Sequence, residues 1–315
     1  MPRCGAEPST LIKGYKGRVL SLIYRSMKTL HPVSLPPGLY LVSTPIGNLR
    51  DMTLRALDVL TTVDTIICED TRVTAKLLQA HGIPNKPLLV LNDHSENKGR
   101  SAILSRLANG ESMALVSDAG TPLVSDPGYK LVRDAQDLGI MVTSLPGANA
   151  PLTALQLSGL PSDAFCFIGF LPSKSVARKK EWQRWAHSPA TLLAFETAPR
   201  LLDSLTDMRD VLGDRDAAVV REITKMFEES RRGTLSELIA HYTADGPPKG
   251  EIVLVVSGAP DNVEMDDAAI DAMIASALDS MRVKDAAAFV SEQTGRPKKE
   301  IYERALIVSK QGRDE

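Results

Sequence analysis

Cysteine is scarce in this chain of 315 residues. Cys4, Cys68 and Cys166 lie far apart and form no CxxC pair, which excludes a disulfide framework and points to a reducing, cytoplasmic setting. No cluster of histidine, cysteine and carboxylate residues has metal-ligand spacing, so no metal site is expected. No run of eighteen apolar residues occurs, so no membrane span is expected. Excess positive charge is missing as well. The formal net charge of −2 excludes a polycation that coats nucleic acid, while leaving room for a local basic patch. Three familiar motifs are absent: G-x-G-x-x-G after the first strand, G-x-x-x-x-G-K-[ST] and G-x-S-x-G. Ordinary dinucleotide, P-loop and serine-hydrolase chemistry are thereby disfavoured.

What is present is a long alternation of apolar runs and amphipathic stretches. The length suits two domains plus a small appendage. Residues 1–37 form a basic extension. Between Leu11 and Leu30 it carries five lysines and arginines and no acid, which fits a transit peptide, a disordered extension or an early start codon. From residue 38, strands at 39–43, 63–70, 87–92, 112–117 and 140–147 alternate with helices, predicting a mostly parallel sheet over 38–147. A second, more mixed α/β domain is expected over 148–262, with strands at 164–171, 190–197, 216–223 and 250–258. Residues 263–315 read as a helical tail, its last two helices joined around Thr294-Gly295-Arg296-Pro297 like a helix-turn-helix.

The segment "MALVSDAGTPLVSDPGYKLV" (113–132) repeats itself: Ser117-Asp118-Ala119-Gly120 is followed by Ser125-Asp126-Pro127-Gly128. It leaves the carboxyl end of the fourth strand, where open α/β sheets bind ligands. The second unit has the grammar of a helix start, with Asp126 as N-cap and Pro127 in the first turn. The first unit, bare-backboned around Asp118, has either a ligand or a strand-end turn to serve.

These residues carry a resemblance. "LYLVSTPIGNLRDMTLRALDVL", "ICEDTR", "LVSDAGTPLVSDPGYKLV", "SLPGANAPLTALQLSGLP", "FIGFLPSK", "ETAPRLL" and "REITKMFEE" occur in the order found in the ribosomal branch of the tetrapyrrole methylase superfamily. The resemblance runs over about residues 38–310. It implies two α/β domains with S-adenosyl-L-methionine in the cleft between them, and 2′-O-methylation of a cytidine in the decoding region of 16S rRNA. It further implies the small ribosomal subunit as partner and a homodimer. Cofactor contacts map onto Pro45, onto Asp118, Ala119, Gly120, Thr121 and Pro122, onto Asn149 and Ala150, and onto Phe195 and Gly250. Two competing functions are a porphyrinoid methyltransferase and a noncatalytic module that binds the cofactor and RNA.

A ribose hydroxyl is a poor nucleophile at neutral pH, so a nearby base is expected. Candidate catalytic residues are Lys225 and Glu228 in "REITKMFEE", Glu196 and Asp70. Asp93, His94 and Glu96 offer a further charged turn. Each has an ordinary alternative: a surface ion pair, a helix cap or a solvated turn. RNA contact is expected from Lys174, Arg178, Lys179 and Lys180, interleaved with Trp182 and Trp185, and from Lys298 and Lys299. A solvated helix with two core tryptophans reads the first group equally well.

Overall fold

The computed structural model of the chain describes residues 33–91, 96–246, 248–260, 267–278, 281–294 and 296–311. The basic extension up to residue 32 and the turn holding Asp93 and His94 lie outside these, as does the side chain of Glu96. The chain divides into two compact units at Gly258/Ala259. Among the described residues, no helix is long and apolar enough to cross a membrane.

The first half of the large unit is a parallel sheet of five strands: β1 (Gly38–Val42), β2 (Thr65–Cys68), β3 (Leu88–Val90), β4 (Ser112–Val116) and β5 (Val142–Leu145). Their order is β3-β2-β4-β1-β5. Strands such as β2 and β4 are buried at every position, because helices cover both faces and alternation is not required. Helices α1 (Leu54–Thr62) and α2 (Thr71–Ala80) cover one face, where Val59, Leu60 and Leu78 pack on Tyr40, Val42 and Val116. Helices α3 (Glu96–Ala108) and α4 (Tyr129–Asp137) cover the other, with Ile103 and Leu131 against Leu39 and Leu115. The chain therefore leaves neighbouring strands β1 and β4 toward opposite faces, and a crevice opens between the two departing loops.

The second half holds helix α5 (Ala150–Ser158) and another five-stranded sheet. Its strands are β6 (Phe165–Phe170), β7 (Thr191–Thr197), β8 (Asp216–Arg221), β9 (Glu229–Thr234) and β10 (Glu251–Val256), in the order β6-β7-β10-β8-β9. Only the β6–β7 pair is parallel. Helices α6 (Ser175–Trp185), α7 (Leu201–Leu212) and α8 (Leu235–Asp245) cover the outer face around Trp182, Leu205 and Leu238. The inner face packs Leu193, Val220 and Val253 on α5, with Ile46 from the first half's loop among them. Strand β9, "ESRRGT", is absent from the sequence-based expectation. It is a polar edge strand, paired on one side only, and carries no apolar run to announce it.

The small unit is a helical cluster of α9 (Asp267–Leu278), α10 (Val283–Thr294) and α11 (Lys298–Gln311). Ile270, Ile274, Ala287, Val290 and Ile301 form its core, and Arg304 clamps α11 to α9 through Asp267 and Asp271.

Candidate functional site

A cavity of about 450 Å³ opens where the loop after β4 faces the inner side of β7 and β10, a size suited to a cofactor. Its floor comes from two loops of the first sheet. Thr44 and Gly120 exchange main-chain hydrogen bonds at 2.9 and 3.0 Å, which ties the loop after β1 to the loop after β4. Gly120 has φ +87° there, and a β-carbon would press on Ile46 Cγ2 at 3.1 Å, so the position requires glycine. Thr121 donates to the Ala148 carbonyl at 2.9 Å and accepts from Asn149 Nδ2 at 3.1 Å. Asn149 Oδ1 caps α5 through Leu152 N–H. One polar wall is thus fixed by side chains that satisfy one another.

Asp118, Ala119, Gly120, Thr121, Asn149 and Ala150 border the cavity, as do Phe195 and Gly250. Pro45 and Pro122 do not: the Pro122 ring is buried within the loop, where its fixed φ stiffens the turn. Ile46, Asp126 and Phe170 also border it, and sequence reasoning misses all three as ligand contacts. Ile46 stands beside Pro45 in the same motif, and Asp126 lies in the repeated unit. Phe170, mostly exposed at the end of β6, packs on Phe195 with ring centroids 5.0 Å apart.

Asp126 is not the helix cap its sequence context predicts. Helix α4 starts at Tyr129, its N-cap is Gly128 at φ +116°, and no side chain caps it. Leu123 and Ser125 both hold left-handed backbone, at φ 72° and 68°. Non-glycine residues adopt that conformation at a cost, most often near functional sites. The turn directs Asp126 inward, where its Oδ2 is buried without a hydrogen-bond partner. Burial pushes its carboxyl up to about 6, with the Asp118 charge adding and the Ser117 hydroxyl opposing.

The four residues that the sequence offers for catalysis are engaged elsewhere. Glu196 borders the cavity, but its carboxylate belongs to the outer face of the sheet. There it pairs with Arg200 at 2.5 Å and accepts from Ser204 on α7 and from Thr197 N–H. Asp70 caps α2 and binds Arg72, which holds its carboxyl down at about 2; only its N–H reaches inward, donating to Asp118 Oδ1 at 3.2 Å. Burial works against the Lys225 charge, but Glu251 and Glu222 at 2.8 and 2.9 Å outweigh it, so Lys225 stays protonated. Glu228 accepts from Thr224 N–H in an exposed turn. None of the four presents a free proton acceptor to the cavity.

The basic stretch on α6 is divided too. Arg178 is buried and forms an ion pair with Asp207 at 2.7 Å, so it is structural and not an RNA contact. Lys179 is held by Asp210 and Asp207. Trp182 is fully buried in the core, and Trp185 donates to Glu181. Lys174 and Lys180 are exposed, as are Lys298 and Lys299 at the start of α11.

The lining has a chemical bias. Four acidic residues border the space: Glu196 and Glu251, held in ion pairs, and Asp118 and Asp126, which stand among largely aliphatic and aromatic side chains; among the described residues no lysine, arginine or histidine borders it. This fits a ligand with a flat aromatic face at one end and positive charge at the other, which describes S-adenosyl-L-methionine. Asp126 Oδ2 is buried there without a hydrogen-bond donor, and a buried acid so placed calls for a cation or a proton.

Residues 38–239 match the family model for Tetrapyrrole (Corrin/Porphyrin) Methylases. The curated "Ribosomal RNA small subunit methyltransferase I" of Mesorhizobium japonicum is 48% identical over 273 residues, covering 86% of this chain and 92% of that one. The protein of the same name from Erythrobacter litoralis is 50% identical over 272 residues, covering 86% and 95%. This chain belongs to the ribosomal RNA small subunit methyltransferase I family. In keeping with that membership, residues 264–308 match the RsmI C-terminal HTH domain. The relative from Escherichia coli O157:H7 is 46% identical, covering 85% of this chain and 94% of its own. Among solved structures, the cobalamin biosynthetic enzyme cobalt precorrin-4 methyltransferase superposes with a TM-score of 0.51 at 18% identity. It covers 69% of this chain and 93% of its own length, and shows that the two-sheet fold is shared.

Proposed function

We propose that this protein transfers the methyl group of S-adenosyl-L-methionine to the ribose 2′-oxygen of a cytidine in the decoding region of 16S rRNA. The observation that carries the reading is the alignment with relatives named as small-subunit rRNA methyltransferases over more than nine-tenths of their length. The acidic cavity supports it chemically. When bound, the cofactor supplies a methyl group on a positively charged sulfur. Asp118, Thr121, Asn149, Ala150, Phe195 and Gly250 would hold it. Their share of the rate enhancement is positional: a rigid wall keeps donor and acceptor in line, which alone lowers the barrier by many kcal/mol. The left-handed turn of the loop after β4 and the Thr121–Asn149 pair provide that rigidity before any ligand arrives.

Docking of the RNA rests on exposed Lys174 and Lys180 in the large unit and on Lys298 and Lys299 in the small one. The same reading has the protein act in the cytoplasm, as a homodimer, on the small ribosomal subunit. The test is to incubate the protein with labelled cofactor and unmethylated small subunits and to map the label. Label on the ribose of one cytidine is expected. Label on a porphyrinoid alone, or binding without transfer, overturns the proposal. Sedimentation of the protein checks the dimer.

A further inference from the structure

The reaction releases a proton from the ribose hydroxyl, and Lys225, Glu228, Glu196 and Asp70 are all occupied elsewhere. We propose that Asp126 is the proton acceptor, and that the nucleotide carrying the hydroxyl seats against the exposed face of Phe170. This rests on the methyl-transfer reading given above.

Three observations converge on Asp126. Its Oδ2 is buried and unpartnered although the residue borders the cavity. It is held there by backbone that costs energy to form, with Ser125 in left-handed conformation immediately before it. It also lies where the two halves meet: a β-carbon added to Gly169 on β6 would touch Ser125 Oγ at 3.7 Å, and Phe170 follows Gly169. The cavity therefore has an acid inside and an unshielded aromatic ring at its mouth. Aromatic faces hold the unstacked bases of single-stranded RNA.

The charged groups around Asp126 leave it free for this task. On its own loop it faces the Ser117 hydroxyl and Asp118. Asp70, behind Asp118, is held by Arg72. Across the cavity, Glu196 and Glu251 are held by Arg200 and Lys225. A carboxyl raised to about 6 by burial is ionised at neutral pH and a stronger base than an ordinary aspartate. In the step, the ribose oxygen bonds to the methyl carbon while its O–H proton passes to the Asp126 carboxylate. The carbon–sulfur bond breaks with its electron pair going to sulfur, and the proton then leaves Asp126 for water.

The test is Asp126→Asn, which keeps shape and removes the acceptor, with Asp126→Glu as the conservative partner. Calorimetry should give a cofactor affinity within threefold of wild type for both. Single-turnover methylation of small subunits should fall at least about 100-fold in Asp126→Asn and recover in part in Asp126→Glu. The wild-type rate should decline below pH about 6, and the residual Asp126→Asn rate should be flat from pH 5 to 7.5. Phe170→Ala should raise the KM for RNA several-fold with kcat little changed. Turnover of Asp126→Asn within threefold of wild type, or a tenfold loss of cofactor affinity in it, overturns the role of Asp126. An unchanged KM in Phe170→Ala overturns the seating. If wild type itself binds no cofactor or labels no RNA, the functional reading fails instead, and the two failures are distinct.

Discussion

Replacing Arg178 with alanine should unfold this protein more readily without loosening its grip on RNA. The Arg178 side chain is 3% exposed and that of Asp207 7%. Nε and Nη2 of the arginine lie 2.8 and 2.7 Å from Asp207 Oδ2, and Nη1 donates to the carbonyls of Pro172 and Ser173 at 3.3 and 3.2 Å. Removing one partner of a buried pair costs about 3–5 kcal/mol, because the remaining charge is stranded. Here Ser175 still donates to Asp207 at 2.8 Å and Lys179 stands 3.5 Å away, so the expected loss is about 3 kcal/mol, the lower end. For a domain of this size that amounts to a fall in Tm of roughly 6–12 °C. Urea unfolding should show a lowered midpoint. An Arg178→Met, Asp207→Leu pair should recover most of the loss, since nothing charged is then left buried. Binding to small-subunit rRNA, followed against salt, should keep its wild-type slope. An Arg178→Ala protein with unchanged unfolding midpoint and weakened RNA binding would refute the assignment.

Other outcomes follow from the same structure. Gly250→Ala places a β-carbon on the Glu222 carboxylate at a backbone φ of +102°, so it should cost about 2 kcal/mol or more in thermal unfolding. Thr121→Val leaves the Ala148 carbonyl and the Asn149 amide without their bridge and should weaken cofactor binding about tenfold by calorimetry. Because burial raises Asp126 to about 6, the fold favours its protonated form. Its contribution is harmless below the ordinary aspartate value near pH 4. Stability is then lost as pH rises toward 6, and the penalty is constant above that. Asp126→Asn should therefore stabilise the ligand-free protein at pH 8 by about 2 kcal/mol, allowing for partial exposure, and should flatten its unfolding profile between pH 4 and 6. Lys174→Ala with Lys180→Ala should lower the log–log salt slope of RNA binding by roughly 0.7 for each phosphate no longer neutralised, with Tm unchanged.

Strands such as β4 and β10 were legible because their burial demands unbroken apolar runs, and breakers mark their ends. The doubled Ser-Asp-x-Gly loop pointed to the cavity for the same local reason. The misreadings share a different origin. Asp126-Pro127-Gly128 satisfies the local grammar of a helix start, yet the left-handed residues before it turn the acid inward. Arg178 sits in a run of basic residues that reads as solvated, and its partner Asp207 lies on another helix. Glu196 sits in a recognisable motif, but Ser204, Arg200 and the far face of the sheet decide what its carboxylate does. Strand β9 lacks an apolar signal because an edge strand needs none. For Arg178 the deciding partner is distant in sequence; for Asp126 and Glu196 it is near, but backbone conformation and sheet face, not residue type, decide the outcome.

The tie between Thr44 and Gly120 is made by peptide groups alone. Exchanging side chains that neither bridge the loops nor replace Gly120 therefore repaints the pocket floor but leaves its contour unchanged. Adding or deleting a single residue in either loop would slip the two segments past one another and close the crevice. Variants that alter selectivity should accordingly be sought among substitutions at Ile46, Val124 and Ala150, with the length of both loops left alone.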